Sequence, residues 1–233
     1  MRIIAHRGFS GRYAENTELA FRAALAVGAD AVEGDVQCTA DGVWVLFHDR
    51  SLRRKVGLAG RIPDYRWDDL RGRRVRVRRR VPASLTSLKD LAERLPPTEF
   101  FVEVKVLPGR PYDRSQIEGL VRVLMEHPHH AWRVITADRP TRDLLRQVAP
   151  GIPRGLVLFP WSPIEEVTQE EDGTYLFVHR RLHRRLPAWV WASRRVVYYT
   201  INRPSELKRY RTDGLYGIET DWPDRFRSGC PSG

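Results

Sequence analysis

Residues 30–49 read DAVEGDVQCTADGVWVLFHD, and this stretch predicts the first elements of the fold. Ala31 to Gln37 is a mainly apolar run that is typical of a strand. Asp41-Gly42 is a tight-turn signal, so residues 43–47 are expected to return antiparallel to that strand and to carry His48 with them. The stretch therefore predicts a strand with a short antiparallel arm.

Strand and helix signals alternate along the rest of the chain. The predicted strands are residues 3–5, 31–37, 100–105, 133–136, 155–159, 175–178, 196–201 and 216–219. The predicted helices are residues 16–27, 88–95, 115–125, 141–148, 164–167, 188–192 and 204–210. Eight strands separated by helices imply parallel pairing, and this number in about this length fits a closed (β/α)8 TIM-type barrel better than an open sheet.

The composition indicates an ordinary globular chain. Its 233 residues contain no Ser/Gly-rich linker or repeat, so we expect a single domain over residues 1–233, with a small insertion at about 51–82 after the second strand. The longest apolar runs fall short of the roughly 18 residues of a membrane-spanning helix, and no signal segment precedes the first strand. A cytoplasmic location is therefore expected. Cys38 and Cys230 are too few for a disulfide framework.

The formal net charge of +11 raises the question of an anionic partner. Arginine is spread through the whole chain, so much of the excess reflects general arginine usage, but residues 71–80 and 180–185 form two clusters. Each is interpreted first as a solvated face, with an anionic membrane surface or substrate steering as the alternative. Specific nucleic-acid binding is disfavoured because the clusters lack the aromatic platforms that single strands favour.

Charged residues end the first three predicted strands, where a parallel barrel places its chemistry. They are His6 and Arg7, then Glu33 and Asp35, then Glu103 and Lys105. Residues two apart on a strand leave the same face, so both later pairs can point into the barrel mouth. Three carboxylates without a thiolate suit a hard divalent cation, Mg²⁺ or Ca²⁺, rather than Zn²⁺. A salt-bridge network without metal is the alternative.

Short motifs occur in a fixed order along nearly the whole chain. They are HRG at 6–8, ENT at 15–17, GADAVEGDVQ at 28–37, HD at 48–49, EVK at 103–105, TIN at 200–202 and TDWP at 220–223. Together they resemble the signature of the glycerophosphodiester phosphodiesterase family. The resemblance implies a barrel enzyme that cleaves glycerophosphodiesters into glycerol 3-phosphate and an alcohol.

The resemblance also implies roles for individual residues. It makes His6 and His48 the general acid/base pair, Arg7 a phosphate ligand, Glu33, Asp35 and Glu103 the metal ligands, and Glu15 and Lys105 further polar groups around the phosphate. The chemistry agrees, because a phosphodiester needs charge neutralisation, a base for the nucleophile and an acid for the leaving alkoxide. His6 as base and His48 as acid is the favoured assignment. Attack by water and attack through a cyclic phosphate both stay open.

The substrate is less well defined than the reaction. We expect small soluble diesters such as glycerophosphocholine, with a lysophospholipid-cleaving enzyme of the same mechanism as the main alternative. That alternative needs an apolar channel, for which Phe159-Pro160-Trp161 is the best candidate lining, although loop packing is favoured there. A non-catalytic phosphoryl-ligand or polyanion-binding barrel is less favoured, because no histidine or carboxylate is missing. Tyr199, where several relatives have Trp, and the Arg-rich insertion depart from the family pattern.

The histidines outside the motifs are expected to be surface groups rather than ligands. They are His127, His129, His130, His179 and His183. His179 ends the sixth predicted strand, so its side chain has a route to the barrel mouth. The oligomeric state is left open.

Overall fold

The computed structural model describes residues 1–78, 80–169 and 174–227. Arg79 of the first arginine cluster and Cys230 lie outside these residues. The described strands are β1 (Arg2–His6), β2 (Ala31–Cys38), β3 (Trp44–Leu46), β4 (Arg74–Val75), β5 (Ala83–Ser84), β6 (Glu99–Val104), β7 (Ala131–Thr136), β8 (Arg154–Leu158), β9 (Tyr175–His179), β10 (Arg195–Tyr199) and β11 (Leu215–Thr220). The described α-helices are α1 (Glu18–Ala26), α2 (Trp67–Leu70), α3 (Leu88–Arg94), α4 (Arg114–Glu126), α5 (Arg139–Val148) and α6 (Val190–Ser193).

Eight of these strands form a closed parallel barrel. Their order is β1, β11, β10, β9, β8, β7, β6 and β2, and β2 pairs again with β1 to close the ring. Ile4 lies opposite Glu219 on one side and opposite Ala31 on the other. The predicted (β/α)8 barrel is confirmed. The predicted arm is present too, since β3 pairs antiparallel with β2 and places Leu46 opposite Val36.

Four of the predicted helices, α1, α3, α4 and α5, begin at a side-chain cap. The Thr17 side chain accepts a hydrogen bond from the Ala20 N–H at the start of α1, and Gly28 follows the helix with a φ of +86°. Two segments predicted as helices are 3-10 turns instead, at Ile164–Gln169 and Pro204–Arg209. The second buries none of its side chains, so no tertiary packing favours a longer α-helix there.

An apolar layer fills the inside of the barrel beneath the charged mouth. Phe101 stands two residues before Glu103 on β6, and Ala31 two residues before Glu33 on β2, so each pair shares a face. Both apolar residues belong to a buried cluster that also contains Ile4. The charged side chains therefore lie over a packed, water-excluding floor. A second apolar layer lies between the strands and the helices, where Phe21 of α1 contacts Phe100 at 5.3 Å between ring centroids.

The insertion after β3 has a small core of its own. It contains a 3-10 turn at Ile62–Asp64, helix α2 and the β4–β5 hairpin. The side chains that share its core are Ala14, Val45, Phe47, Leu52, Ile62, Leu70, Val75 and Leu85. This core fixes the insertion against the antiparallel arm. Its arginines at 71, 73, 74, 76 and 78 are exposed, as the solvated-face interpretation requires.

Two of the histidines expected on the surface are buried instead. His127 is 7% exposed and donates from Nδ1 to the Val123 carbonyl at 2.8 Å. His130 is 4% exposed and donates from Nε2 to the Ala92 carbonyl at 2.9 Å. The surface prediction was wrong for this pair because both imidazoles satisfy backbone carbonyls where α4 turns into β7. None of the helices among the described residues has the length and apolar character needed to span a bilayer.

Candidate active site

The loop after β1 holds the backbone of Arg7 in an unusual conformation. Arg7 has a φ of +57°, and its N–H donates to Glu33 Oε2 at 3.1 Å. Gly8 follows with a φ of +76°, and a Cβ there would lie 2.6 Å from the Ala20 backbone. Only glycine fits this close approach between the loop and α1. The HRG motif thus turns the chain sharply at the barrel mouth and presents Arg7 to its carboxylates.

The Arg7 side chain joins two acidic residues. Its Nη1 donates to Glu15 Oε1 at 2.8 Å, and its Nε lies 2.9 Å from Asp35 Oδ2. Burial lowers the pKa of Arg7, but the charges of Asp35, Glu15 and Glu33 outweigh it and hold the pKa well above its usual value. The guanidinium is therefore a fixed positive charge at the mouth.

Glu33, Asp35 and Glu103 form a compact carboxylate cluster. Each offers an oxygen, and these three oxygens lie within 4.8 Å of one another. Glu33 is 1% exposed and Asp35 fully buried, yet Glu33 Oε1 and Asp35 Oδ1 accept no hydrogen bond from the described residues. Carboxylate oxygens so buried need a partner. Oxygen donors at this spacing fit a hard divalent cation.

The pKa values of the two buried carboxylates are pushed apart. Burial raises the pKa of Glu33 well above its ordinary value, and the neighbouring charge of Asp35 raises it further. Burial also acts to raise the pKa of Asp35, but Arg7 and Lys105 hold it well below its usual range. Lys105 Nζ lies 2.8 Å from Glu103 Oε1 and 3.6 Å from Asp35 Oδ1. The cluster thus combines a carboxyl whose ionisation is favoured, Asp35, with one whose ionisation is disfavoured, Glu33.

His6 is oriented by a carboxylate that the sequence assignment missed. Its Nδ1 lies 2.8 Å from Asp221 Oδ1, which also accepts from Ser10 Oγ at 2.9 Å. Asn202 Nδ2 donates to the other oxygen of Asp221 at 2.9 Å. Burial and Arg7 lower the pKa of His6, but Glu219 and Asp221 outweigh them and raise it. The opposite nitrogen of the imidazole is left to act on a ligand.

Glu219 is the second missed residue. It is 3% exposed, and its carboxylate oxygen lies within 4.8 Å of ligand atoms of His6 and Glu33. Burial raises the pKa of Glu219 to about 7, with Glu103 adding to the rise. A signal was present in the sequence, because Glu219-Thr220-Asp221 repeats the Glu-x-Asp pattern of Glu33-Gly34-Asp35 at the end of the last strand.

His48 enters the site on the antiparallel arm. The Phe47 N–H donates to the Asp35 carbonyl at 2.9 Å, and Gln37 Nε2 donates to the carbonyls of Phe47 and Asp49, each at 2.9 Å. These bonds fix the arm around His48. Its Nδ1 lies 3.3 Å from Asp49 Oδ1, and its side chain is 34% exposed. His48 is therefore held by a carboxylate yet open to solvent and substrate.

Glu15 faces cations rather than open space. Its Oε1 accepts from both Arg7 Nη1 and the Lys55 ammonium, and Arg80 Nη1 lies 3.8 Å from its Oε2. Burial acts to raise the pKa of Glu15, but Arg7 and Lys55 lower it below its usual value. All eight residues predicted for the site are thus joined in one connected arrangement: His6, Arg7, Glu15, Glu33, Asp35, His48, Glu103 and Lys105.

A groove of about 1190 Å³ opens from the site beside His48. Its lining includes Arg50, Arg53 and Arg54, and Glu103 and Lys105 belong both to the lining and to the charged site. Its apolar lining residues include Val106, Leu107, Pro108, Pro111, Phe159 and Trp161. The groove gives the site an extended, largely apolar approach.

Phe159 and Trp161 both line this groove, and the half-buried Phe159 also packs against the apolar cluster inside the barrel. Their rings stack with 5.3 Å between centroids, and Trp161 is 78% exposed. The preference for loop packing was therefore wrong for Trp161, since little covers its ring. His179 contacts the Tyr199 ring at 5.5 Å and accepts the Arg181 N–H at Nδ1, while Tyr199 donates to the Leu158 carbonyl at 2.8 Å.

Comparisons with known proteins identify the family of the chain. A sequence profile of the glycerophosphoryl diester phosphodiesterase family matches residues 6–127, more than half of the chain. A probable glycerophosphodiester phosphodiesterase of Mycobacterium tuberculosis (strain ATCC 25618 / H37Rv) is 36% identical, with 96% of this chain and 88% of the relative aligned. A glycerophosphodiester phosphodiesterase of Bacillus altitudinis is 28% identical over 96% of both chains.

A solved structure shares the fold. A phosphodiesterase of Oleispira antarctica, determined with the product sn-glycerol-3-phosphate, superposes with a TM-score of 0.83 at 23% identity, covering 96% of this chain and 94% of that one. The barrel and the profile match together define a phosphodiesterase of the TIM-barrel type. The chain belongs to the glycerophosphoryl diester phosphodiesterase family.

Proposed function

We propose that this enzyme hydrolyses glycerophosphodiesters to glycerol 3-phosphate and an alcohol, with one divalent cation, Mg²⁺ or Ca²⁺, and with His6 and His48 as the proton-transfer pair. The observation that carries the proposal is the buried carboxylate cluster, in which two oxygens accept no hydrogen bond from the described residues, next to Arg7 and two carboxylate-backed histidines. This combination supplies every group that phosphodiester cleavage requires.

Glu33, Asp35 and Glu103 would hold the cation. A bound Mg²⁺ or Ca²⁺ supplies Lewis-acid stabilisation for the negative charge on the phosphoryl oxygens. Arg7 and Lys105 contribute fixed positive charge on the same side of the mouth. Glu15 acts through Arg7, since its carboxylate repels a phosphate but holds the guanidinium at 2.8 Å. Its role is therefore to position the phosphate ligand.

The two histidines differ in their surroundings. His6 is the proposed base, because Asp221 at 2.8 Å fixes its ring and raises its pKa together with Glu219. His48 is the proposed acid, because Asp49 holds its ring at 3.3 Å while its 34% exposed side chain stays accessible to the departing alkoxide. Direct attack by water and attack by the glycerol 2-hydroxyl need the same two proton transfers. The assignment of acid and base is therefore independent of that choice.

The test is product analysis with purified protein and glycerophosphocholine. We expect glycerol 3-phosphate and choline in equal amounts when Mg²⁺ or Ca²⁺ is present, and no turnover in excess chelator. Phosphocholine as the product would place the cleaved bond on the wrong side of the phosphorus. Sustained turnover by demetallated protein would remove the cation from the mechanism.

A second candidate substrate class is favoured by the groove. Lysophospholipids contain the same glycerophosphodiester with an acyl chain on the glycerol. The groove, with a volume of about 1190 Å³ and a largely apolar lining, offers that chain a place next to the site. The matched variants are Trp161→Ala in the groove and Trp189→Ala, whose ring is 42% exposed elsewhere. If lysolipids are substrates, only Trp161→Ala should raise the KM for lysophosphatidylcholine while leaving that for glycerophosphocholine unchanged. Equal effects of the two variants would reject this class.

A further inference from the structure

Lys55 lies between the two halves of the site, although no motif assigns it a role. Its side chain is 1% exposed, and its ammonium contacts Glu15 Oε1 and lies 3.1 Å from Asp49 Oδ1. The Phe47 ring covers it, with 5.8 Å between Nζ and the ring centroid. A buried ammonium is costly unless its partners are fixed and complementary. Two carboxylates and an aromatic face meet that requirement.

These contacts continue outward to two groups of the proposed mechanism. Glu15 Oε1 also accepts from Arg7 Nη1 at 2.8 Å. Asp49 Oδ1 also lies 3.3 Å from His48 Nδ1. Lys55 therefore stands at the centre of one chain of contacts that runs from the phosphate-binding guanidinium to the proposed acid.

We propose that Lys55 is a positioning residue, whose ammonium holds Glu15 behind Arg7 and Asp49 behind His48 so that both groups face the same phosphodiester. The proposal rests on the proposed function, because it takes the roles of Arg7 and His48 from it. Without the ammonium, the two carboxylates would lose their shared partner. Besides His48 itself, Asp49 would then keep the exposed Arg54, at 2.9 and 3.0 Å, as its cationic partner.

The backbone around Lys55 is fixed as firmly as its side chain. The Lys55 carbonyl accepts from the Arg76 N–H at 2.8 Å, and the Leu52 carbonyl accepts from the Val56 N–H at 2.8 Å. Leu52 is fully buried in the core of the insertion. The insertion therefore sets the position of the ammonium, and through it the geometry of the mouth.

The carboxylates that contact Lys55 also belong to a possible metal site. Among the described residues, three sets of ligand atoms have spacing suited to a metal, and this is one of them. The set consists of Glu15, His48 and Asp49. The ammonium of Lys55 already contacts both carboxylates, so the side chain supplies the cation that this set requires. In the carboxylate cluster of Glu33, Asp35 and Glu103, Lys105 pairs closely with Glu103 alone, at 2.8 Å, and Glu33 Oε1 accepts no hydrogen bond from the described residues.

The main experiment measures Lys55→Met on two substrates. Methionine keeps the length of the side chain and removes its charge, so kcat for an unactivated glycerophosphodiester should fall by about 10–100-fold. The loss should be much smaller for a diester with a nitrophenol leaving group, which needs little protonation by His48. A merely structural role would reduce both substrates alike. Lys89→Met is the matched control, an exposed lysine 3.9 Å from Glu93 that should keep wild-type kinetics.

A double variant tests whether the effect passes through His48. The kcat of Lys55→Met/His48→Ala should lie within about threefold of that of His48→Ala alone, since coupled residues are non-additive. The link to Arg7 should appear separately, as a raised KM in Lys55→Met. Multiplicative losses in kcat, or wild-type kinetics of Lys55→Met on both substrates, would overturn the proposal.

Lys55→Arg covers the case in which Lys55→Met does not fold. It keeps the buried charge, but its planar guanidinium cannot reproduce a single nitrogen shared by two carboxylates. A smaller loss with the same dependence on the leaving group is expected, and an equal loss on both substrates overturns the proposal. Failure of the proposed function is distinct, because it would appear as near-normal turnover of His48→Ala whatever the Lys55 variants do.

Discussion

The two ends of the barrel both contain largely buried charged side chains, but the carboxylates at the two ends differ in their hydrogen-bond partners. At the N-terminal end of the strands, Glu99 Oε2 lies 2.6 Å from Arg2 Nη2, and its Oε1 accepts from the Tyr216 hydroxyl at 2.9 Å. The Tyr175 hydroxyl accepts from Arg133 and Arg195, each at 2.8 Å. At the C-terminal end, Glu33 Oε1 and Asp35 Oδ1 accept no hydrogen bond from the described residues.

The difference separates a structural use of charge from a functional one. The carboxylate of Glu99 has a partner for each oxygen, so its charge contributes to the closure of the barrel base. The mouth brings Glu33, Asp35, Glu103 and Glu219 together, and burial raises the pKa values of Glu33 and Glu219. Such an arrangement is unfavourable for folding on its own. The cation of the proposed function would offset this cost by pairing with the carboxylates.

The largest effect should come from neutralising a mouth carboxylate. Glu33→Gln should lower kcat by about a thousandfold, since a lost metal site removes several kcal/mol of charge stabilisation. In chelator, the same variant should unfold at a higher temperature than the wild type, because it removes like-charge repulsion. Added Mg²⁺ or Ca²⁺ should raise the melting temperature of the wild type only. A metal-induced shift that persists in Glu33→Gln would separate the cluster from the cation.

Glu99→Gln is the matched change at the base. It should lower the free energy of unfolding by about 1–3 kcal/mol, because Arg2 would lose the negative charge with which it pairs. Its kcat and its metal-induced shift should equal those of the wild type. The comparison therefore predicts stability changes of opposite sign, with Glu33→Gln stabilising the fold in chelator and Glu99→Gln destabilising it. Destabilisation by both variants would show that the mouth cluster is a structural salt-bridge network as well.

The histidines should give the next largest effect. His6→Ala and His48→Ala should each lower kcat by roughly a hundredfold or more, with the fold intact, since each transfers a proton in the transition state. The pH profile of the wild type should be bell-shaped. A nitrophenyl substrate should rescue His48→Ala but not His6→Ala, which identifies the acid. Rescue of His6→Ala instead would exchange the two roles.

The sequence predicted those features of the fold and the site that depend only on residues close together in the chain. Alternation gave the eight strands, and the spacing of Glu33 and Asp35 placed both on one face, because strand parity is local. Asp221 and Glu219 were missed as site residues because their place beside His6 depends on the pairing of β1 with β11, more than 200 positions apart in the chain. Lys55 was missed because its burial depends on how the insertion folds.

The sequence was also limited where tertiary packing decides between related conformations. Pro204–Arg209 has helix-forming residues but no buried face, and it forms a 3-10 turn. His127 and His130 carry polar rings that would suit the surface, yet backbone carbonyls draw them inward. In each case the conformation depends on tertiary packing, which a local sequence pattern does not contain.

Stability should depend on pH through Glu219 in a defined direction. Burial raises its pKa from 4.5 to about 7, so the protonated form stabilises the fold below pH 4.5, and this contribution is lost as the pH rises through 7. In chelator, the melting temperature of the wild type should therefore fall across this range relative to that of Glu219→Gln. The measurement is a series of melting curves between pH 4 and about 8 for both proteins. The same dependence of melting temperature on pH in both proteins would contradict the raised pKa of Glu219.

The smallest effect should come from the exposed arginines of the insertion. Arg80 Nη1 lies 3.8 Å from Glu15 Oε2, so the cluster at 71–80 adjoins the mouth rather than the base. If they steer substrate, its exposed members should raise the local concentration of an anionic diester without contacting the phosphorus. Changing Arg73, Arg74 and Arg78 to glutamine should lower kcat/KM a few-fold at low salt and leave kcat unchanged. The salt dependence should flatten, because charges are screened over about 10 Å at 0.1 M.

The control removes the same number of charges outside the insertion. Lys208 and Arg209 lie in the last turn of a 3-10 segment, Arg122 lies in the second half of α4, and all three are exposed. Changing these three to glutamine should alter kcat/KM less than the insertion variant at every ionic strength. Equal effects would assign steering to the net charge of +11 as a whole. A loss seen only on lysolipid in anionic vesicles would instead make the insertion a membrane-docking surface, because a soluble diester would not sense that contact.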